Sequence, residues 1–283
     1  MDTQSYLARL NGLPRDLEAA RLYGHALDWP SELPADVPEA YAAALAVRAA
    51  RLRAGDVPVG YKVGFTNQSI WPLYAVDRPI WGTMWKSGLA LLEEGEGDEG
   101  LVSLAGLSEP RIEPEIVFGL NRAVPPGCTL DQLVRCIGWM AHGFEIVHTH
   151  FPGWKFTAAQ TVADAGLHAR LLVGHRVEIP EGVAAQQVVE ALGQVQLRLF
   201  ANGVAKDEGS GSQVLGGPVQ ALLHFVRELA VTAGAPTLKA GDLITTGTLT
   251  DAHAVAPGEV WHTELLSDDA LVGELRGLRV RFS

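Results

Sequence analysis

The chain has 283 residues, of which 47% are apolar and 19% charged, enough for a substantial core and too apolar for global disorder. With 22 basic and 33 acidic residues the net charge is −11, and no basic stripe offsets it, which argues against a nucleic-acid partner.

Residues 1–57 read as a helical N-terminal region ahead of a body spanning 58–283. The first twenty residues carry Asp2, Arg9, Arg15, Asp16 and Glu18, unlike a signal peptide. The apolar run from Tyr41 to Ala50 is broken by Arg48 and is too short to span a bilayer, so no membrane partner is expected. Cys128 and Cys136 lack zinc spacing and make no disulfide framework, which fits a reducing cytoplasm. Pro38 suits the first turn of a helix that runs to Arg53 and stops at Gly55. Gly60 to Thr66 alternates and predicts a strand. Glu93 to Gly100 predicts an acidic, solvated loop.

Arg111 to Phe118 alternates again and predicts a strand. Asn121 to Gly127 is a turn, and Thr129 is a helix N-cap. Leu133, Cys136, Ile137 and Met140 recur at helical spacing, predicting a helix that Gly143 ends. Phe144 to Val147 then reads as a short strand. Strands are expected at 171–179, 195–201 and 243–246, a hairpin turn at Asn202-Gly203, and a helix near 219–230. The class is α+β, a short helical region followed by a β-rich mixed body.

Glu113 and Glu115 lie two apart in a strand, so both carboxylates share a face. Pro114 between them cannot donate to a ladder, which points to an edge or a bulge. Glu145 sits among Phe144, Ile146 and Val147 and needs a partner there. Three carboxylates suit a hard cation, Mg²⁺ or Mn²⁺. Spacing alone fits equally well two exposed glutamates on an edge strand and one glutamate paired with an arginine.

Gly60-Tyr61-Lys62-Val63-Gly64, Pro110 to Ile116, Glu145-Ile146-Val147 and Val162-Ala163-Asp164 resemble the fumarylacetoacetate hydrolase superfamily, in its 2-hydroxypentadienoate hydratase and oxalocrotonate decarboxylase branch. Asn202-Gly203, Leu215 to Pro218 and Leu238 to Asp242 continue the resemblance in order, over roughly residues 58 to 283. It implies a β-rich mixed sandwich or roll with one divalent cation, Mg²⁺ or Mn²⁺. It matches Glu113, Glu115 and Glu145 to the metal ligands and Lys62 to the active-site lysine. It also implies a small 2-oxo or 2-enol acid substrate and a homo-oligomer, a dimer or larger.

The sequence departs from that branch at two places. Ile80 stands where branch members carry an acid used in proton handling, and Asp77 is the one nearby acid that could replace it. His148-Thr149-His150 stands where an Asp-Ser-Arg-like run is common. His150, with His148 beside it, is therefore the candidate to activate water. Lys155, His168, the turn at Ser210-Gly211 and Thr248 are candidate substrate contacts, while His142 is expected on a helix surface. The expected reaction is hydrolysis of a C–C bond in an acylpyruvate such as maleylpyruvate, in aromatic-compound catabolism. The alternatives are a 2-hydroxydienoate hydratase, an oxalocrotonate-like decarboxylase, or a non-catalytic partner subunit.

Overall fold

The computed structural model describes residues 3–27, 33–92 and 99–283. Three helices come first: α1 (Thr3–Leu7), α2 (Gly12–Tyr23) and α3 (Val37–Arg53). Asp36 caps α3 by accepting the Glu39 N–H, Pro38 lies in its first turn, and Arg51 and Arg53 complement the helix dipole at its end. Leu13, Leu17, Ala20 and Tyr41 from α2 and α3 bury in the same core as the body.

The body begins with β1 (Pro58–Gly64), α4 (Trp71–Tyr74), β2 (Ile80–Trp85), β3 (Leu89–Leu91) and β4 (Glu99–Val102). Next come β5 (Arg111–Leu120), α5 (Leu130–Val134), β6 (Ile137–Val147), α6 (Ala158–Ala163), β7 (His168–Val173) and β8 (Val177–Glu178). The last part holds α7 (Ala185–Gln194), β9 (Gln196–Ala201), β10 (Val204–Ser210), α8 (Pro218–Val231), β11 (Leu243–Thr248), β12 (His253–Ala254), β13 (Val260–Leu266) and β14 (Arg279–Phe282).

Among the described residues the strands form two sheets. The larger runs β2-β1-β11-β5-β6-β7-β3, with β12 also on β5 and β8 also on β6; the smaller runs β10-β9-β13-β14-β4. Together with the helices they make the expected α+β class. His142 of β6 reaches Thr263 of β13 across the two sheets. Asn202 (φ 49°) and Gly203 (φ 80°) form the left-handed turn that joins β9 to β10, as the Asn-Gly pair predicts. No described helix is long and apolar enough to cross a membrane.

Three expectations need correction. The helix predicted to run to Gly143 is only the five-residue α5, opened by a Thr129–Gln132 capping box. From Ile137 the chain is an eleven-residue strand. Residues 140–150 are all buried, so alternation is absent, and the apolar spacing no longer separates helix from strand. Gly143 does not end a helix. A Cβ there would sit 2.7 Å from Val117 Cγ2, so its bareness lets β5 and β6 pair closely. Next, β5 is no edge strand: it lies between β11 and β6, and the irregularity that accommodates Pro114 is a break in the β11 pairing between Thr245 and Thr248. Finally, Glu99 and Gly100 begin β4, while the rest of the predicted acidic loop lies outside the described residues.

Candidate metal centre and active site

Antiparallel pairing of β5 with β6 sets Glu113 directly opposite Glu145. Glu115, two residues along, projects from the same face of β5. One carboxylate oxygen from each of the three lies within 4.8 Å of the others. Glu115 and Glu145 are fully buried, and Glu113 is half-buried at the mouth of the cluster.

Two of the acids have their own support. The β11 irregularity turns the Gly247 N–H onto Glu115 Oε2 at 2.6 Å. A Cβ on Gly247, whose φ is 99°, would come within 1.9 Å of Thr66 Oγ1, so this position needs glycine. His168, the first residue of β7, places its Nδ1 2.7 Å from Glu145 Oε1. Lys62 in β1 puts Nζ 3.1 Å from Glu145 Oε2. β1 is seated by Gly60, where a Cβ would strike the Leu243 carbonyl oxygen at 1.8 Å.

The electrostatics of the cluster are those of three acids sharing one ammonium. Burial pulls the Lys62 pKa down, but Glu145, Glu113 and Glu115 outweigh it and hold it at about 12. Burial raises Glu145, yet Lys62 and His168 bring it to about 2. Burial and the Glu145 charge push Glu113 up to about 7 despite Lys62, and Glu115 well above the usual carboxylate range. Glu115 Oε1 is buried without a hydrogen-bond partner. All-oxygen donors, excess negative charge and an unpaired lone pair on one face fit a hard divalent cation.

This centre opens into a cavity of about 210 Å³, bordered by Lys62, Glu113, Arg111 and Thr248. Its mouth is aromatic: Tyr74 stacks on Phe156, and the Arg111 guanidinium lies 3.9 Å over the Trp154 ring. Ile80, nearly fully buried, forms part of the wall. Asp77 does not replace the acid missing there. It is exposed, pairs with Arg78 at 2.8 Å and does not border the cavity. Besides Glu113, the carboxylate bordering this cavity is the exposed Asp251.

The remaining sequence candidates scatter. Thr248 borders the cavity, and Lys155 is exposed between two cavity-lining aromatics, Trp154 and Phe156. Ser210 and Gly211 lie away from it, with both amides engaged: Ser210 N–H donates to Gln213 Oε1 and Gly211 N–H to the Val195 carbonyl. His148 and His150 face a different, smaller cavity between β2 and the N-terminal helices. They sit there because the chain leaves β6 after Val147, and Asp164, accepting His150 Nδ1–H at 2.6 Å, draws the ring to that side. His168 supports Glu145 and does not border the acid cavity. His142 is not on a helix surface. It is buried in β6, held by the Glu115 carbonyl and Thr263 Oγ1, and burial lowers its pKa to about 4, so it is neutral. Arg111 and Asp164, in the runs that carry the family resemblance, and Gly247, beside Thr248, are further residues that shape the site.

A family model described as the fumarylacetoacetate (FAA) hydrolase C-terminal matches residues 94–279. A 2-hydroxyhexa-2,4-dienoate hydratase of Comamonas testosteroni is 30% identical over 224 residues, covering 79% of this chain and 80% of that one. A 4-oxalocrotonate decarboxylase of a Pseudomonas species is 31% identical over 214 residues, 74% and 75% of the two chains. Among solved structures, the 4-oxalocrotonate decarboxylase of Pseudomonas putida G7, complexed with magnesium and adipate, superposes with a TM-score of 0.81 at 24% identity over 100% of this chain and 99% of that one. Matched model, relatives and fold agree, and the chain belongs to the fumarylacetoacetate hydrolase family.

Proposed function

We propose that this chain is a divalent-metal-dependent enzyme that adds water to a 2-hydroxydienoate, with Mg²⁺ or Mn²⁺ held by Glu113, Glu115 and Glu145. The observation that carries the reading is the convergence of three carboxylates on the Lys62 ammonium, with Glu113 and Lys62 bordering a cavity whose wall is largely apolar and aromatic. The 2-hydroxyhexa-2,4-dienoate hydratase relative supports this reaction. The acylpyruvate hydrolysis expected from sequence has weaker support. The fumarylpyruvate hydrolase of Pseudomonas aeruginosa, complexed with Mn²⁺ and pyruvate, is 16% identical at a TM-score of 0.55, a likeness of fold alone.

The cation, when bound, supplies Lewis-acid stabilisation of negative charge developing on the 2-oxygen of the substrate. Lys62, protonated at neutral pH, is placed to donate from Nζ to the acid head and fix its orientation. Ile80, Phe156 and Tyr74 exclude bulk water from the diene, which strengthens every charge interaction at the floor. His168 keeps Glu145 oriented through Nδ1.

A second reading, decarboxylation of an oxalocrotonate-like dicarboxylate, is favoured by Arg111. Its guanidinium lies at the cavity mouth, where it can pair with a distal carboxylate.

Counting products separates the readings. Enzyme with Mn²⁺ is offered 2-hydroxypentadienoate, 4-oxalocrotonate and maleylpyruvate. The proposal expects one hydroxylated oxo acid from the dienoate with every carbon retained, and no turnover after chelation. CO₂ from oxalocrotonate alone would promote the second reading, and stoichiometric pyruvate from maleylpyruvate would restore hydrolysis.

A further inference from the structure

On the far side of His168 from the acid cluster lies a second cavity, of about 250 Å³. Arg21 of α2, Arg51 of α3 and Arg170 of β7 border it, with His148 and His168 at its inner end. No carboxylate borders it among the described residues, on a chain whose net charge is −11. It shares Arg21, Arg51, His148 and His168 with the cavity of about 50 Å³ that ends at His150.

The cations here are unequally satisfied. Arg21 is paired with Glu18 at 2.7 Å, and Arg51 is paired with Asp56. Arg170 has no carboxylate within ion-pair distance among the described residues, and it donates to the Ala169 carbonyl at 3.0 Å. His148 is 3% exposed, and its Nδ1 has no hydrogen-bond partner. The narrower extension, where Trp81 Nε1 and His150 Nε2 are also buried and unpaired, is bordered by Glu18 and Asp164 and lies outside the proposed site. An unpaired buried polar atom is costly, so His148 Nδ1 at the inner end of the cavity marks a place built for a polar occupant. Arg170 is thus the arginine here without an acid partner among the described residues. After burial itself, Arg21 is what lowers the pKa of Arg51 and of Arg170, and His148 is pushed well below its usual range by burial and then by His150 and His168. Water would satisfy the donors but would leave that repulsion in place; an anion relieves both.

We propose that this cavity is a binding site for a small oxyanion, a carboxylate or a phosphate, separate from the metal centre and held by Arg170 and Arg51 with His148 at its inner end. The planar guanidinium forks suit either oxyanion. The site does not depend on which reaction the acid cluster performs.

The test is calorimetric titration of the Mg²⁺-loaded protein with acetate and, separately, with inorganic phosphate. Each titration is run in parallel on metal-free Glu115→Gln, where no cation draws either probe into the metal cavity. Saturable one-to-one binding of either anion is expected, and the tighter of the two assigns the ligand class. Arg170→Gln should weaken binding about tenfold or more, as loss of a charge-assisted pair implies. Ser87→Asp, which adds a carboxylate at an exposed position on the cavity border, should do the same without touching a buried group. Arg111→Gln, at the metal cavity, should leave binding unchanged. Absence of saturable binding by either anion, equal binding by both border variants, or loss in Arg111→Gln would overturn the proposal.

Discussion

Glu145 stays ionised because Lys62 and His168 both contact it, whereas Glu113 and Glu115 have a weaker share of the ammonium. The division of labour has a measurable consequence in the metal-free protein. Glu113 has a folded-state pKa of about 7 against an ordinary value of 4.5. Between those values the folded state holds the extra proton, so stability falls as pH rises through roughly 4.5 to 7. Glu145 acts oppositely, but between about 2 and 4.5, outside that window. The melting temperature of chelator-treated protein should therefore drop by a few degrees between pH 5 and pH 7.5, and Mg²⁺ should restore more at the upper end. A flat metal-free profile would mean that Glu113 is not strained by its neighbours. Lys62→Met keeps the bulk of the stem and removes the charge. Turnover should fall by about a hundredfold or more, as for loss of a preorganised charge, while the Mg²⁺-bound melting temperature changes by only a few degrees. Equal kinetics would reduce Lys62 to a counter-ion.

At the scale of elements, the site is a product of one strand pair and one irregularity. The period-two spacing of Glu113 and Glu115 was legible, because a strand fixes which side chains share a face whatever packs on it. The pairing of Glu113 with Glu145 was not, because β6 is buried along most of its length and carries no alternation. There the apolar residues at 133, 136, 137 and 140 fit a helix as well as a strand, and only the partner strands decide. Gly247 was not legible as a donor to Glu115, since that depends on the register break beside Pro114. Gly247→Ala tests the bulge. Its Cβ would meet Thr66, and at φ 99° the new residue is strained as well. Mn²⁺ affinity should fall by about tenfold or more through displacement of the amide that orients Glu115. Unchanged affinity would show that Glu115 is positioned without it.

Over the whole molecule, the N-terminal helices are structurally continuous with the body. The Leu27 N–H donates to the His150 carbonyl, the Trp81 N–H to the Tyr41 hydroxyl, and α2 and α3 complete one core. That junction explains why His148 and His150 misled as water activators. Their sequence position close behind Glu145 suggested the metal, but the fold turns them toward the helices, a contact between segments more than a hundred residues apart. We also propose, from the family resemblance, that the chain is a homo-oligomer, for which sedimentation should give a mass of at least twice 30.3 kDa. The central claim is that Glu113, Glu115 and Glu145 form one cation site. Its most direct test is calorimetric titration of chelator-stripped protein with Mn²⁺, beside Glu115→Gln, with circular dichroism to show that the variant is folded. One Mn²⁺ per wild-type chain and none in folded Glu115→Gln is the predicted result. Wild-type affinity in the variant, or no binding by the wild type, would contradict it.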